Sequence, residues 1–305
     1  MTRETPVFFD AVGSHLFGIV SHPEQPNGVG VLVIQGGDTV NVSLQRNRLA
    51  VRISRELAGR GYTCFRFDYH GLGESTGTVG ELRLSAPFTE DAVAAAQVLR
   101  NHGAGPIVLA GACFSSRTAL STAPLLDDVA GVLMATPPVG SYERTEAVAE
   151  RMARDRSIGE YASLALRAKT FKGLTDPVRR TFYIKLARSK LKQVTRKLTG
   201  GVKPPGARDP LWWVSRQLLE PLEVMVERRV PVLIAYGVDD PLLREFDRAK
   251  EGRLGAILDR AGDTVEVARD LPGVIHGFPA VNGQEAFLSL TFDWIDRSTA
   301  ALRHP

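Results

Sequence analysis

Two cysteines in 305 residues are too few for a disulfide framework, which excludes the small stapled scaffolds of secreted proteins. No apolar run approaches the roughly 20 residues that a membrane-spanning helix needs. The first residues, Met-Thr-Arg-Glu-Thr-Pro, hold no apolar core of a secretory leader. The expectation is a reduced, cytoplasmic, soluble protein. No internal repeat is visible, and low complexity is confined to Gly200-Gly201-Val202-Lys203-Pro204-Pro205-Gly206. Recognised nucleic-acid modules and interleaved stacking aromatics are also missing, so nucleic acid is not an expected partner. What remains is a 44% hydrophobic, 24% charged chain, ordinary for a globular protein and long enough for one large domain with an insertion.

The excess of 38 basic over 34 acidic residues is small, but it is unevenly placed. Between Gly140 and Arg229 there are twenty Lys and Arg against ten Asp and Glu. The rest of the chain is therefore mildly acidic, and the basic character belongs to one segment.

Apolar runs bounded by turn residues mark the strands. Val7 to Ser21 suggests a hairpin, Val29 to Ile34 and Thr63 to Phe67 two buried strands, and Pro106 to Ala110 and Val129 to Ala135 two more. Helical spacing runs over Leu44–Arg60, with Leu49, Ile53 and Leu57 at steps of four. A second helix is expected from Thr89 to about Arg100, capped by Thr89, with Glu90 and Asp91 in its first turn. A third is expected to about Leu125. This alternation implies an α/β fold, a doubly wound, mostly parallel sheet. It stops at Pro137-Pro138 and resumes with Val230–Tyr236, a short strand Thr264–Ala268 and a closing helix Glu285–Leu302. The expected organisation is a core of 1–139 and 226–305 with a helical cap inserted at 140–225.

The chemistry gathers at strand ends. Gly111-Ala112-Cys113-Phe114-Ser115 lies between the strand ending at Ala110 and the next helix. A residue on so sharp a turn is held out at the top of the sheet, and its neighbours two positions away must be small, which is the mechanical content of a nucleophile elbow. A buried structural cysteine is the competing reading of these five residues. The elbow reading requires an acid after a later strand and a histidine after the last one. Asp239-Asp240 follows Tyr236, and His276 follows the final strand. Only one of the two adjacent aspartates can face the histidine; Asp240 is preferred and Asp239 is its rival. Cys64, in an apolar run, reads as a buried small hydrophobe.

With these residues in that order, the sequence resembles the α/β-hydrolase superfamily over nearly all of the chain outside the insertion. Asp68-Tyr69-His70-Gly71-Leu72-Gly73-Glu74-Ser75 is similar to the D-x-R-G-x-G-x-S loop of these proteins, with His70 where Arg is usual. Gln35-Gly36-Gly37 is similar to their oxyanion loop, with Gln where His is frequent. Within the superfamily the chain resembles thioesterase-like cysteine-elbow members of biosynthetic clusters, including exosortase-associated hydrolases. Dienelactone hydrolases and polyhydroxyalkanoate synthases share the cysteine elbow but differ in cap or chain construction.

The resemblance implies Cys113 as nucleophile, His276 as general base and then acid, and Asp240 as its orienting carboxylate. The oxyanion hole would use the backbone N–H of Phe114 and of Gly36 or Gly37. Gln35, Trp212 and Trp213 are candidates for the substrate pocket. Neither a metal nor an organic cofactor is called for. A cysteine in place of serine makes the intermediate a thioester, readier than an ester to pass its acyl group to amines or thiols. The expected function is acyl transfer on a (thio)ester, as a thioesterase-like hydrolase or an acyltransferase, with a non-hydrolytic binding module, isomerase or cyclase as the alternative. Arg179, Arg180, Lys185, Arg188, Lys190, Lys192, Arg196 and Lys197 make the cap a docking surface for an acidic partner, an acyl carrier protein being the natural candidate, or simply a solvated helix face.

Overall fold

The computed structural model describes residues 2–35, 48–79, 83–141 and 213–303. The chain divides into two compact units, Met1–Ser141 with Val214–Pro305, and Tyr142–Trp213. The elements below belong to the first. The basic stretch of the expected cap lies outside the described residues.

Strands β1 (Arg3–Ala11) and β2 (Ser14–His22) form the opening hairpin. Val12 and Gly13 both take positive φ at its tip, as a two-residue turn matched to the twist of its strands requires. The apolar runs become β3 (Gly30–Ile34), β4 (Thr63–Phe67), β5 (Ile107–Ala112), β6 (Val129–Ala135) and β7 (Val232–Gly237). All five are buried almost throughout, the signature of strands covered on both faces. β8 (Val265–Leu271) is partly exposed and closes the sheet. The order is β1-β2-β4-β3-β5-β6-β7-β8, antiparallel only where the hairpin joins and parallel from β4 onward. The winding therefore reverses between β3 and β5, and a crevice opens at the carboxyl ends of strands on either side of such a switch.

Seven helices are described: α1 (Leu49–Gly59), α2 (Thr89–Asn101), α3 (Phe114–Thr122), α4 (Arg216–Glu227), α5 (Pro241–Ala249), α6 (Arg253–Ala261) and α7 (Val281–Ser298). Residues 216–225, assigned by sequence to the insertion, lie in α4 of the first unit. One continuous core joins Val31 and Val33 of β3 to Leu49, Ile53 and Leu57 of α1 and to Phe287, Phe292 and Trp294 of α7. Burying each such side chain contributes about 1.5–3 kcal/mol. Thr89 is the first residue of α2 rather than its cap, and Phe88 stands at the cap position without a side-chain bond. α5 and α6 were not anticipated, although Pro241 at a first helical position is a start signal. No helix among the described residues is long and apolar enough to cross a membrane.

Two buried cations brace the sheet. Arg66 of β4, 2% exposed, lies 2.8 Å from Glu4 of the edge strand β1 and donates to Ser21 Oγ. Arg55 of α1 reaches the other Glu4 oxygen at 2.6 Å. Burial alone would raise the Glu4 pKa, but the bonds from Arg55 and Arg66 outweigh it and hold the carboxyl at about 2. Arg117 of α3 is fully buried and donates to the carbonyls of Leu84, Pro138 and Gly140 and to Ser215 Oγ. Burial pulls its guanidinium down to about 10.

Candidate active site

β5 ends one residue before Cys113, whose φ of 53° and ψ of −115° lie where a side chain is strained by about 1–3 kcal/mol. The turn is held by the Cys113 N–H donating to Ala135 O at 2.8 Å and by Ser116 Oγ donating to Cys113 O. The need for a small residue at 111 is steric, since a Cβ on Gly111 would sit 2.3 Å from Ser115 O. At 115 the serine meets the same need for a small residue, its hydroxyl folding back onto Ala112, 2.8 Å from that residue's N and O. Cys113 thus stands partly exposed ahead of α3, whose N-terminal dipole favours a thiolate. Phe114, the first residue of that helix, offers an N–H with no carbonyl partner inside the helix.

His276 lies in the loop between β8 and α7, with its Nε2 at 3.2 Å from Cys113 Sγ. Asp240, which follows β7 and precedes α5, is 2% exposed. Its carboxylate accepts the backbone N–H of Gly237 at 2.6 Å, of Ile275 at 3.3 Å and of His276 at 2.9 Å. These bonds tie it to the backbone of the loop that carries the imidazole. Asp239 is exposed, with its N–H bonded to Gly273 O. The two loops meet closely, because a Cβ on Gly237 would lie 2.2 Å from Gly273 O and 3.1 Å from Asp240 Oδ2. Gly237→Ala is therefore expected to cost about 1–3 kcal/mol, read as a lower urea midpoint. An unchanged midpoint would show that the loops part freely.

Gln35 is buried directly after β3. Trp213 is also buried, whereas Gly36, Gly37 and Trp212 lie outside the described residues. His70 adopts a role that the sequence left open. Its Nδ1 contacts the Asp91 carboxylate at 2.9 Å, its N–H donates to the same group, and its ring packs on Phe88, which in turn meets Phe114. Asp91 had been read only as a helix-start acid, and the pairing could have been sought from the loss of the usual Arg at 70. Among the described residues, no three His, Cys, Asp or Glu side chains gather into a metal-binding group.

No family model and no curated protein matches this sequence. Solved structures do. A proline iminopeptidase from Mycobacterium smegmatis superimposes with a TM-score of 0.60 at 16% identity, over 98% of this chain and 100% of its own. A Pyrococcus furiosus esterase gives 0.59 at 13%, over 97% and 91%. A haloalkane dehalogenase from Agrobacterium tumefaciens gives 0.56 at 17%, over 97% of each chain. The fold is that of the α/β-hydrolases. In this α/β-hydrolase fold, Cys113, Asp240 and His276 follow β5, β7 and β8, the positions at which the sheet delivers side chains to one rim.

Proposed function

We propose that the protein is an acyl-transfer enzyme working through a Cys113 thioester, as a thioesterase-like hydrolase or an acyltransferase. The supporting observation is the 3.2 Å approach of His276 Nε2 to Cys113 Sγ at a helix N-terminus, the reach a base needs to take a nucleophile's proton. That esterases and a peptidase share the fold agrees with acyl chemistry.

The steps balance around one proton. Nε2 takes the Sγ proton, and the thiolate adds to the substrate carbonyl, whose oxygen gains charge and accepts the Phe114 N–H. The bond to the leaving thiol or alkoxide then breaks, and that group takes the proton from the imidazolium. Water, an amine or a second thiol next adds to the thioester while Nε2 removes its proton. Collapse releases the acyl product and returns the proton to Sγ. Asp240 acts throughout by fixing the loop of His276.

Intact mass spectrometry after exposure to acyl-N-acetylcysteamine thioesters tests the assignment. The native chain is expected to gain one acyl group and Cys113→Ala none. Acylation that persists in Cys113→Ala would move the nucleophile elsewhere, to Ser115 or Ser116. Absence of any adduct or turnover would remove the acyl-transfer reading.

A further inference from the structure

Gln35 carries a feature that the catalytic scheme does not use. The residue is 3% exposed, and both atoms of its side-chain amide, Oε1 and Nε2, are buried without a hydrogen-bond partner among the described residues. Buried polar atoms are almost always bonded, and an amide that the described residues leave unmet at both ends is suited to receive a further partner.

Its position says where that group comes from. Ile34 pairs with Phe67 on one side and with Gly111 on the other. Gln35 therefore lies level with Asp68 and with Ala112, the residue before Cys113, at the switch between β3 and β5. Val31 and Val33 face the core cluster that contains Ile275 and Phe278, the residues bracketing the His276 turn. The two-residue period of a strand puts Gln35 on that same face. The unmet amide thus lies beside the strand end that carries Cys113, on the sheet face whose core also includes residues flanking His276.

We propose that Gln35 is a specificity contact for an acyl group bearing an amide close to the reacting carbonyl; this rests on the acyl-transfer reading above. An amide satisfies both atoms at once, because Nε2–H donates to its oxygen and its N–H donates to Oε1. An ammonium has no acceptor for Nε2. A carboxylate has no donor for Oε1 and would enter a region that already holds the buried Asp68, which follows the neighbouring strand level with Gln35. An alkyl chain would leave the amide unmet, which is the situation in which a polar pocket discriminates most strongly.

The test compares thiophenyl esters, whose leaving group has no amide, at two spacings: N-acetyl-β-alanine against hexanoate, and 4-acetamidobutanoate against heptanoate. Each pair matches in length and differs only in replacing the amide by methylenes. With native protein, kcat/KM from thiophenol release is expected to favour the amide ester of at least one pair by about 100-fold or more. In Gln35→Met that preference, read as the ratio of the two kcat/KM values within each pair, is expected to collapse to within about fivefold. Gln35→Met is also expected to melt no lower than native, because it removes an unsatisfied buried group. Acylation of Cys113 without amide preference, a preference that survives in Gln35→Met, or a clear fall in melting temperature would each overturn the specificity role while leaving the thioester chemistry standing. Failure of every ester to acylate Cys113 would instead overturn the acyl-transfer reading, and this inference with it.

Discussion

His276→Ala is expected to slow thioester turnover by about 10³- to 10⁴-fold, the worth of a positioned acid–base, while leaving the melting temperature near native. The side chain is exposed, so its removal opens no cavity. Asp240→Asn is expected to behave differently and to lower both quantities. Among the described residues, the three groups bonded to its carboxylate are backbone N–H donors, at Gly237, Ile275 and His276. An asparagine must turn its NH₂ against one of them. Hydrogen bonds to a charged acceptor contribute about 1.5–3 kcal/mol each, so a loss of about 2–4 kcal/mol is expected. For a domain of this size each kcal/mol lowers the melting temperature by about 2–4 °C. Thioester kinetics alongside thermal melting separates the two variants. An Asp240→Asn protein as stable as native would deny that the carboxylate organises the histidine loop through its backbone.

The second large effect lies far from that rim. Glu4→Gln removes the only carboxylate bonded to the buried Arg66 among the described residues. Breaking a buried pair by removing one partner costs about 3–5 kcal/mol. The Arg55 contribution is discounted, since that guanidinium is half exposed. The pH dependence has a defined sign. The Glu4 carboxyl titrates near 2 in the fold against an ordinary 4.5, so folding favours its charged form. That stability, on the order of 2 kcal/mol once the half-exposed Arg55 is discounted, is complete above about pH 4.5 and drains away as the pH falls toward 2. Urea midpoints of native and Glu4→Gln protein are expected to be well separated at pH 7 and to converge near pH 2. Curves that already coincide at pH 7 would show the pair to be energetically idle.

The sheet was legible because its central strands are unbroken apolar runs, and such runs have few other places to go. The order of Cys113, Asp240 and His276 was legible because each follows a strand, and parallel strands bring their ends to one side. α5 is hidden in the sequence because the adjacent Asp239-Asp240 look like loop acids, although Leu242, Leu243, Phe246 and Ala249 mark the buried face of a helix. Glu4 with Arg66, and His70 with Asp91, were illegible for a deeper reason. A charge's partner depends on which elements pack together, and Glu4 and Arg66 are joined only once β2 is laid between their strands. The hint for the first pair was a cation inside the run Thr-Cys-Phe-Arg-Phe, and for the second the missing Arg at 70. Arg117 likewise looks like any helical arginine until three carbonyls and a hydroxyl close around it.

Gly140 and Val214 form a bridge with each other, and Arg117 ties Gly140 and Ser215 to α3. The chain consequently departs from the hydrolase scaffold and returns to it through a single closed gateway. Whatever is spliced between those two doorposts can change in length or composition without shifting the register of any strand.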